Sequence, residues 1–155
     1  MVQRSEVLEV MIHAALKAGE GLRSDLASPE RIEIREKGES DFVSSADLRS
    51  QATIRAALAA AYPDHGMLLE EGDDRASTGH ARFIVDPLDG TTNFLHAIPH
   101  FAVTIALEEE GEIVAGLVLD VAKGEVFWAE KGRGAWLGER RIGVSRETDL
   151  SRAIV

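Results

Sequence analysis

Asp86-Pro87-Leu88-Asp89-Gly90-Thr91-Thr92-Asn93-Phe94 follows directly on the apolar run Phe83-Ile84-Val85. The run reads as a strand that ends there. Two carboxylates stand three residues apart just beyond it, and a proline stiffens the link between them. Gly90-Thr91-Thr92 then offers backbone amides that can face an anion. If a helix starts here, its free N–H groups and dipole favour a phosphate. Carboxylate oxygens suited to a divalent cation, beside amides suited to a phosphate, point to metal-assisted phosphoryl chemistry.

Working outward, Asp86 and Asp89 can converge on one ion or bridge two, and the Leu88 carbonyl between them is a further oxygen ligand. An isolated Asp-Pro-x-Asp-Gly reads equally as a turn whose side chains bond to local amides, but the Thr-Thr-Asn-Phe that follows favours the site. Upstream, the short strand Met67-Leu68-Leu69 runs into Glu70-Glu71. Strand neighbours point to opposite faces, yet at a strand end both can turn toward one site. Glu70 is the candidate metal ligand that helps polarise a water, and Glu71 its support. The same pair also reads as the start of a solvated acidic loop, since Gly72-Asp73-Asp74 continues the charge. Asp47 completes a Ser44-x-x-Asp47 capping box and is also placed to accept a hydrogen bond from a hydroxyl at the edge of the site. Gly90 permits close backbone approach, and Thr91 adds a hydroxyl. His13, His65, His80, His96 and His100 form no metal-ligand spacing. Trp128 and Trp136 read as packing, and Lys123, Lys131 and Arg133 as solvated turn residues.

The 155 residues suit one domain with a moderate core. Hydrophobic residues at 45% and charged residues at 28% indicate a globular chain rather than a disordered one. A formal charge of −10 argues against nucleic acid as partner. It leaves an anionic substrate open, because bound cations invert the local charge. The absence of cysteine removes disulfides, zinc–thiolate sites and cysteine nucleophiles. With no apolar signal core and no run of membrane-spanning length, the expectation is a cytoplasmic protein without membrane contact.

Residues 6–26 carry apolar side chains at helical spacing and predict an amphipathic helix that frays near Gly19 and Gly21. Ile32 and Ile34 alternate as in a strand closed by Lys37-Gly38. A second helix begins at Ser44-Ser45-Ala46-Asp47, with Leu48, Ile54, Ala57, Leu58 and Ala61 on its buried face, and stops at Tyr62-Pro63. Gly72 to Arg82 reads as an exposed loop. Strands follow at Phe101–Leu107, Ile113–Val121, Glu125–Glu130, Ala135–Leu137 and Arg141–Val144, the last two joined by a tight turn at Gly138-Glu139. Helix, strand, helix and then β meander make an α+β layered domain of sheet and helices. Leu150 to Val155 reads as the start of a buried strand, which suggests the first part of a longer chain.

With its motif at 86–94, the chain resembles the inositol monophosphatase family. Lys37, Ser44–Asp47, Tyr62-Pro63, Glu70-Glu71, Lys131–Ala135 and Ile142–Ser145 extend the resemblance over nearly all of the sequence. It implies the N-terminal, metal- and phosphate-binding part (1–155) of an αβαβα layered fold. It implies a magnesium-dependent, lithium-inhibited phosphomonoesterase that is a homodimer, with two or three Mg2+ ions and Mn2+ as a substitute. Glu70, Asp86 and the Leu88 carbonyl would hold one ion, and Asp86 with Asp89 a second. Gly90 and Thr91 would bind phosphate through their amides, with Asp89 also on the substrate side. Thr91, with Asp47 as acceptor, would orient the attacking water, and Glu70 would assist. Leu69 stands where the family has glycine, and Leu137-Gly138-Glu139 where it often has Asn-Gly. The family's later Trp-Asp-x-Ala motif, which supplies another metal-binding Asp and closes the substrate pocket, has no counterpart here. Weak metal binding, poor turnover by this chain alone, and an exposed edge at Ile154-Val155 are therefore expected.

The implied substrate is a small phosphate monoester, with inositol 1-phosphate first. Fructose 1,6-bisphosphate, 3′-phosphoadenosine nucleotides and histidinol phosphate are the alternatives within the superfamily. A non-catalytic protein-binding module is the alternative of another class, since some bacterial members resemble partners of the transcription machinery.

Overall fold

The computed structural model describes residues 3–28, 30, 32–38, 41–72, 74–77 and 79–152; of 35–38, 41, 42 and 150 it describes the backbone alone. In chain order the elements begin with helix α1 (Glu6–Leu26), strands β1 (Ile34–Gly38) and β2 (Asp41–Ser44), and helix α2 (Ser45–Ala61). Strands β3 (Gly66–Leu69) and β4 (Ala81–Asp89) and the short helix α3 (Thr91–Leu95) follow. A meander of β5 (Ala102–Glu109), β6 (Glu112–Asp120), β7 (Glu125–Glu130), β8 (Gly134–Leu137) and β9 (Arg140–Ile142) completes the sheet. β1 and β2 form a separate antiparallel hairpin. The other seven strands form one sheet in sequential order, antiparallel except for the parallel pair β3–β4.

α1 and α2 pack on each other and cover one face of this sheet. α1 begins at Ser5, whose hydroxyl accepts from the Leu8 N–H, and buries Leu8, Met11, Ile12, Ala15, Ala18 and Leu22. Alternate strand residues Phe83, Val85, Val103, Ile105, Leu107, Leu117 and Leu119 meet that stripe in one continuous core. Burying each of these large side chains stabilises the fold by roughly 1.5–3 kcal/mol. The opposite sheet face, with Thr104, Ala106, Gly116, Val118 and Phe127, lines an open apolar groove of about 700 Å³. Among the described residues no helix is long and apolar enough to cross a membrane.

Several expectations change. α1 does not fray at its glycines. Gly19 is buried, and a Cβ there would lie 2.9 Å from Leu119 Cδ2, so this glycine lets the helix press on β6. The buried face of α2 keeps Ile54 and Leu58 of the expected apolar set and adds polar residues. Leu48 is 44% exposed and Ala61 is exposed, while Asp47, Ser50 and Gln51 are buried beside Ile54 and Leu58. β4 does not stop at Val85 but runs through Asp86-Pro87-Leu88 to Asp89, and it starts at Ala81, which shortens the expected loop. Lys123, Lys131 and Arg133 are exposed turn residues as expected, and they ion-pair with Asp120, Glu112 and Glu130. Leu150–Arg152 forms a 3-10 turn rather than a strand, and the expected edge at Ile154-Val155 lies outside the described residues.

Candidate active site

The bulge in β4 creates the site. Asp86 pairs with Thr104 and Asp89 with Ala102, so three steps along β4 match two along β5. In a regular strand, residues three apart face opposite sides. The one extra residue restores parity, and Asp86 and Asp89 come to share the sheet face turned away from α1 and α2. Glu70 follows β3, and its N–H bonds the Val85 carbonyl at 3.3 Å. Strand alternation puts Glu70 on that same face, where its carboxyl hydrogen-bonds with Asp86.

Burial pushes the Asp86 carboxyl above its ordinary value, and the carboxylates of Asp89 and Asp47 push the same way. The hydrogen bond with Glu70 and that from the Leu88 N–H, 3.1 Å from Asp86 Oδ1, oppose the rise.

Asp47 approaches from α2 and is 1% exposed. The backbone N–H of Ser44 donates to its Oδ2 at 2.9 Å, and the Ser44 hydroxyl donates to the same oxygen. The Ser44 hydroxyl oxygen in turn accepts from the Ala46 N–H at 3.2 Å, so the expected capping box is formed. The other oxygen, Oδ1, lies 2.9 Å from Thr91 Oγ1, which also lies 3.1 Å from the Leu88 carbonyl. One hydroxyl proton serves one acceptor at a time. When Asp47 takes it, the Thr91 oxygen keeps lone pairs for an incoming donor.

Gly90 precedes α3 with φ +86, and an added Cβ would come 3.1 Å from the His100 carbonyl. A side chain is thus excluded for both conformation and space. His96 and His100 are exposed. The His96 ring bonds the Thr92 carbonyl, and the His100 carbonyl accepts from Asn93.

Two residues were missed in the sequence. Ser50, 3% exposed, donates its hydroxyl to the Pro87 carbonyl at 2.7 Å, fixing the bulge. Gln51, 7% exposed, accepts from the Glu71 N–H at 3.1 Å and donates to the Gly72 carbonyl at 3.2 Å. The signal was available: Asp47, Ser50, Gln51 and Ile54 follow the i, i+3, i+4, i+7 spacing of a single helix face.

The layered arrangement of helices on a largely antiparallel sheet is shared with solved structures. One is the extragenic suppressor protein suhB of Bartonella henselae, at TM-score 0.90 and 46% identity, covering 92% of this chain and 56% of that one. Another is the IMPase of Thermotoga maritima, at TM-score 0.83 and 32% identity, covering 92% and 55%. The model of the inositol monophosphatase family matches residues 3–155, and the chain belongs to that family. An inositol-1-monophosphatase of Rhizobium meliloti is 46% identical over 153 residues, 98% of this chain and 58% of the relative. A Nus factor SuhB of Pseudomonas aeruginosa is 40% identical over 152 residues, 96% of this chain and 56% of the relative. The chain thus spans little more than half the length of these relatives.

Proposed function

We propose that this chain carries the metal- and phosphate-binding part of a Mg2+-dependent phosphomonoesterase, with inositol 1-phosphate as substrate. The observation that carries the reading is the β4 bulge, which turns Asp86 and Asp89 to one face beside the Asp47–Thr91 hydrogen bond.

The donor set fits Mg2+. It consists of hard oxygens only: three carboxylates and the Leu88 carbonyl, which has a lone pair beyond the one facing Thr91. Burial and the carboxylates of Asp89 and Asp47 push the Asp86 value up, and a bound cation would offset both. Among the described residues no three ligating side chains stand close enough together to hold an ion, so backbone, water and substrate oxygens would have to complete the coordination. Glu70, Asp86 and the Leu88 carbonyl would hold one ion, and Asp86 with Asp89 another. When bound, Mg2+ supplies charge neutralisation for the phosphate and a more acidic water.

The chain's own residues then have defined tasks. Thr91 Oγ1 accepts a hydrogen bond from the attacking water while its own hydroxyl donates to Asp47 Oδ1, and Ser44 keeps that carboxylate turned toward it. Glu70 stands beside the water as a second acceptor. The amides of Gly90 and Thr91 face the phosphate. The open apolar sheet face and the share of the relatives' length matched both support a site whose remaining wall, including most contacts to the alcohol, comes from a further domain. The same reading makes the enzyme a cytoplasmic homodimer.

The test is phosphate release from inositol 1-phosphate with and without Mg2+, with Asp86→Asn as control and the alternative esters run alongside. Release that requires Mg2+ and is lost in the variant supports the reading. Preference for fructose 1,6-bisphosphate, a 3′-phosphoadenosine nucleotide or histidinol phosphate would replace the substrate. A second reading, a protein-binding module, draws on the relative named Nus factor SuhB and on the open sheet face. Capture of a transcription-factor partner that persists in Asp86→Asn, without phosphate release by the unaltered chain, would favour it.

A further inference from the structure

The two acidic segments of the site belong to neighbouring strands, Glu70 just after β3 and Asp86 with Asp89 on β4. Glu70 sits in a turn just past the end of the edge strand β3, with an exposed side chain. The Glu70 N–H ties the start of the turn to the Val85 carbonyl of β4 and the Gly72 N–H closes it onto the Leu69 carbonyl; what remains is a tie from the turn to helix α2. Gln51 is the buried side chain that spans the gap. Its amide oxygen accepts from the Glu71 N–H and its amide nitrogen donates to the Gly72 carbonyl, so both ends of one planar group grip consecutive residues after Glu70. One helical turn back along α2, Asp47 holds Thr91, and the neighbouring Ser50 holds Pro87. The position of the Glu70 turn is therefore referred to the same helix that positions the bulge.

We propose that Gln51 is a positioning residue for cation binding, acting through the Glu70–Gly72 turn. This rests on the metal reading given above. A glutamine that only filled space would be replaceable by an apolar side chain of its length. A glutamine that sets the turn would not be, because the amide pair fixes distance and orientation together. Partners bonded directly to a metal ligand typically change metal affinity about tenfold to a hundredfold when lost, and Gln51 acts one step further out, through the two residues that follow Glu70.

The experiment is Mn2+ binding to the chain, followed by the paramagnetic resonance signal of free Mn2+. The variants are Gln51→Met, which keeps length but cannot grip the turn, and Ile54→Val, which trims the same buried face without touching the site. Thermal unfolding is recorded for each. Gln51→Met is expected to weaken Mn2+ binding about tenfold or more, while Ile54→Val binds like the unaltered chain even if its melting temperature falls equally. Equal affinity in Gln51→Met and the unaltered chain, or a loss matched by Ile54→Val, would overturn the inference and leave the metal reading standing. Failure of the unaltered chain itself to bind Mn2+ would overturn the metal reading, and this inference with it.

Discussion

Asp47 and Thr91 are 44 positions apart in the chain, yet Asp47 Oδ1 and Thr91 Oγ1 lie 2.9 Å apart at the start of α3. The contact joins the first turn of α2 to the residue that follows the β4 bulge. Asp47 thereby closes the N-terminus of one helix and sets the hydroxyl at the start of another.

Removing that carboxylate has a structural and a chemical consequence. Asp47→Ala strips a partner from the Ser44 N–H, the Ser44 hydroxyl and Thr91. Loss of a cap costs about 1 kcal/mol, and buried groups left unpaired cost about 1–3 kcal/mol more. Urea unfolding should show a total in that range. The near-isosteric Asp47→Asn tests the chemistry: with the carboxylate that accepts from Thr91 replaced by an amide, the water loses its orientation and phosphate release falls about a hundredfold or more.

Asp86→Asn should make the metal-free chain more stable. The Asp86 value is raised by burial and by neighbouring carboxylates. A raised carboxyl contributes stability that is fully present below its unfolded-state value and lost as pH rises through its folded-state value. At neutral pH the charge therefore opposes folding, and the amide removes it. Thermal unfolding in the presence of a chelator should give a higher melting temperature for the variant, with the difference shrinking as pH falls into the carboxylate range.

Ser50→Ala removes the hydroxyl that meets the Pro87 carbonyl. A buried carbonyl left without its partner costs about 1–3 kcal/mol. Thr53→Ala on the same helix removes only a bond to the Arg49 carbonyl at an exposed position, and such surface changes stay within about 0.5 kcal/mol. Chemical denaturation of the two variants side by side checks the contrast.

Gly19→Ala sets two effects against each other. Alanine gains about 1 kcal/mol in helix propensity, but its Cβ would meet Leu119 Cδ2, a fully buried side chain, at 2.9 Å. Overpacking in a closed core costs about 1–3 kcal/mol. The net expectation is destabilisation by about 1 kcal/mol, read from the same unfolding curves, and a more stable variant would show that α1 can lift off β6.

What the sequence made legible were features written locally. The apolar stripe of α1, the Ser44–Asp47 capping box, the Tyr62-Pro63 stop and the Gly138-Glu139 turn each rest on residues a few positions apart. The family was legible because the 86–94 motif and Glu70-Glu71 stand in a specific order. The bulge was not, because a register shift depends on the partner strand, and Asp86-Pro87 looks like an ending when β5 is out of view. Gly19 was misread because a helix glycine signals fraying unless a neighbouring side chain needs its space. Ser50 and Gln51 were passed over because the buried face of α2 was sought among apolar residues, while the site side of that helix is polar.

The most direct test of the central claim is calorimetric titration of Mg2+ into the unaltered chain and into Asp86→Asn at neutral pH. The account predicts saturable binding by the unaltered chain, weak though it is without the rest of the pocket, and its loss in the variant. Equal binding by the two would place the cation elsewhere and contradict the site described for the β4 bulge.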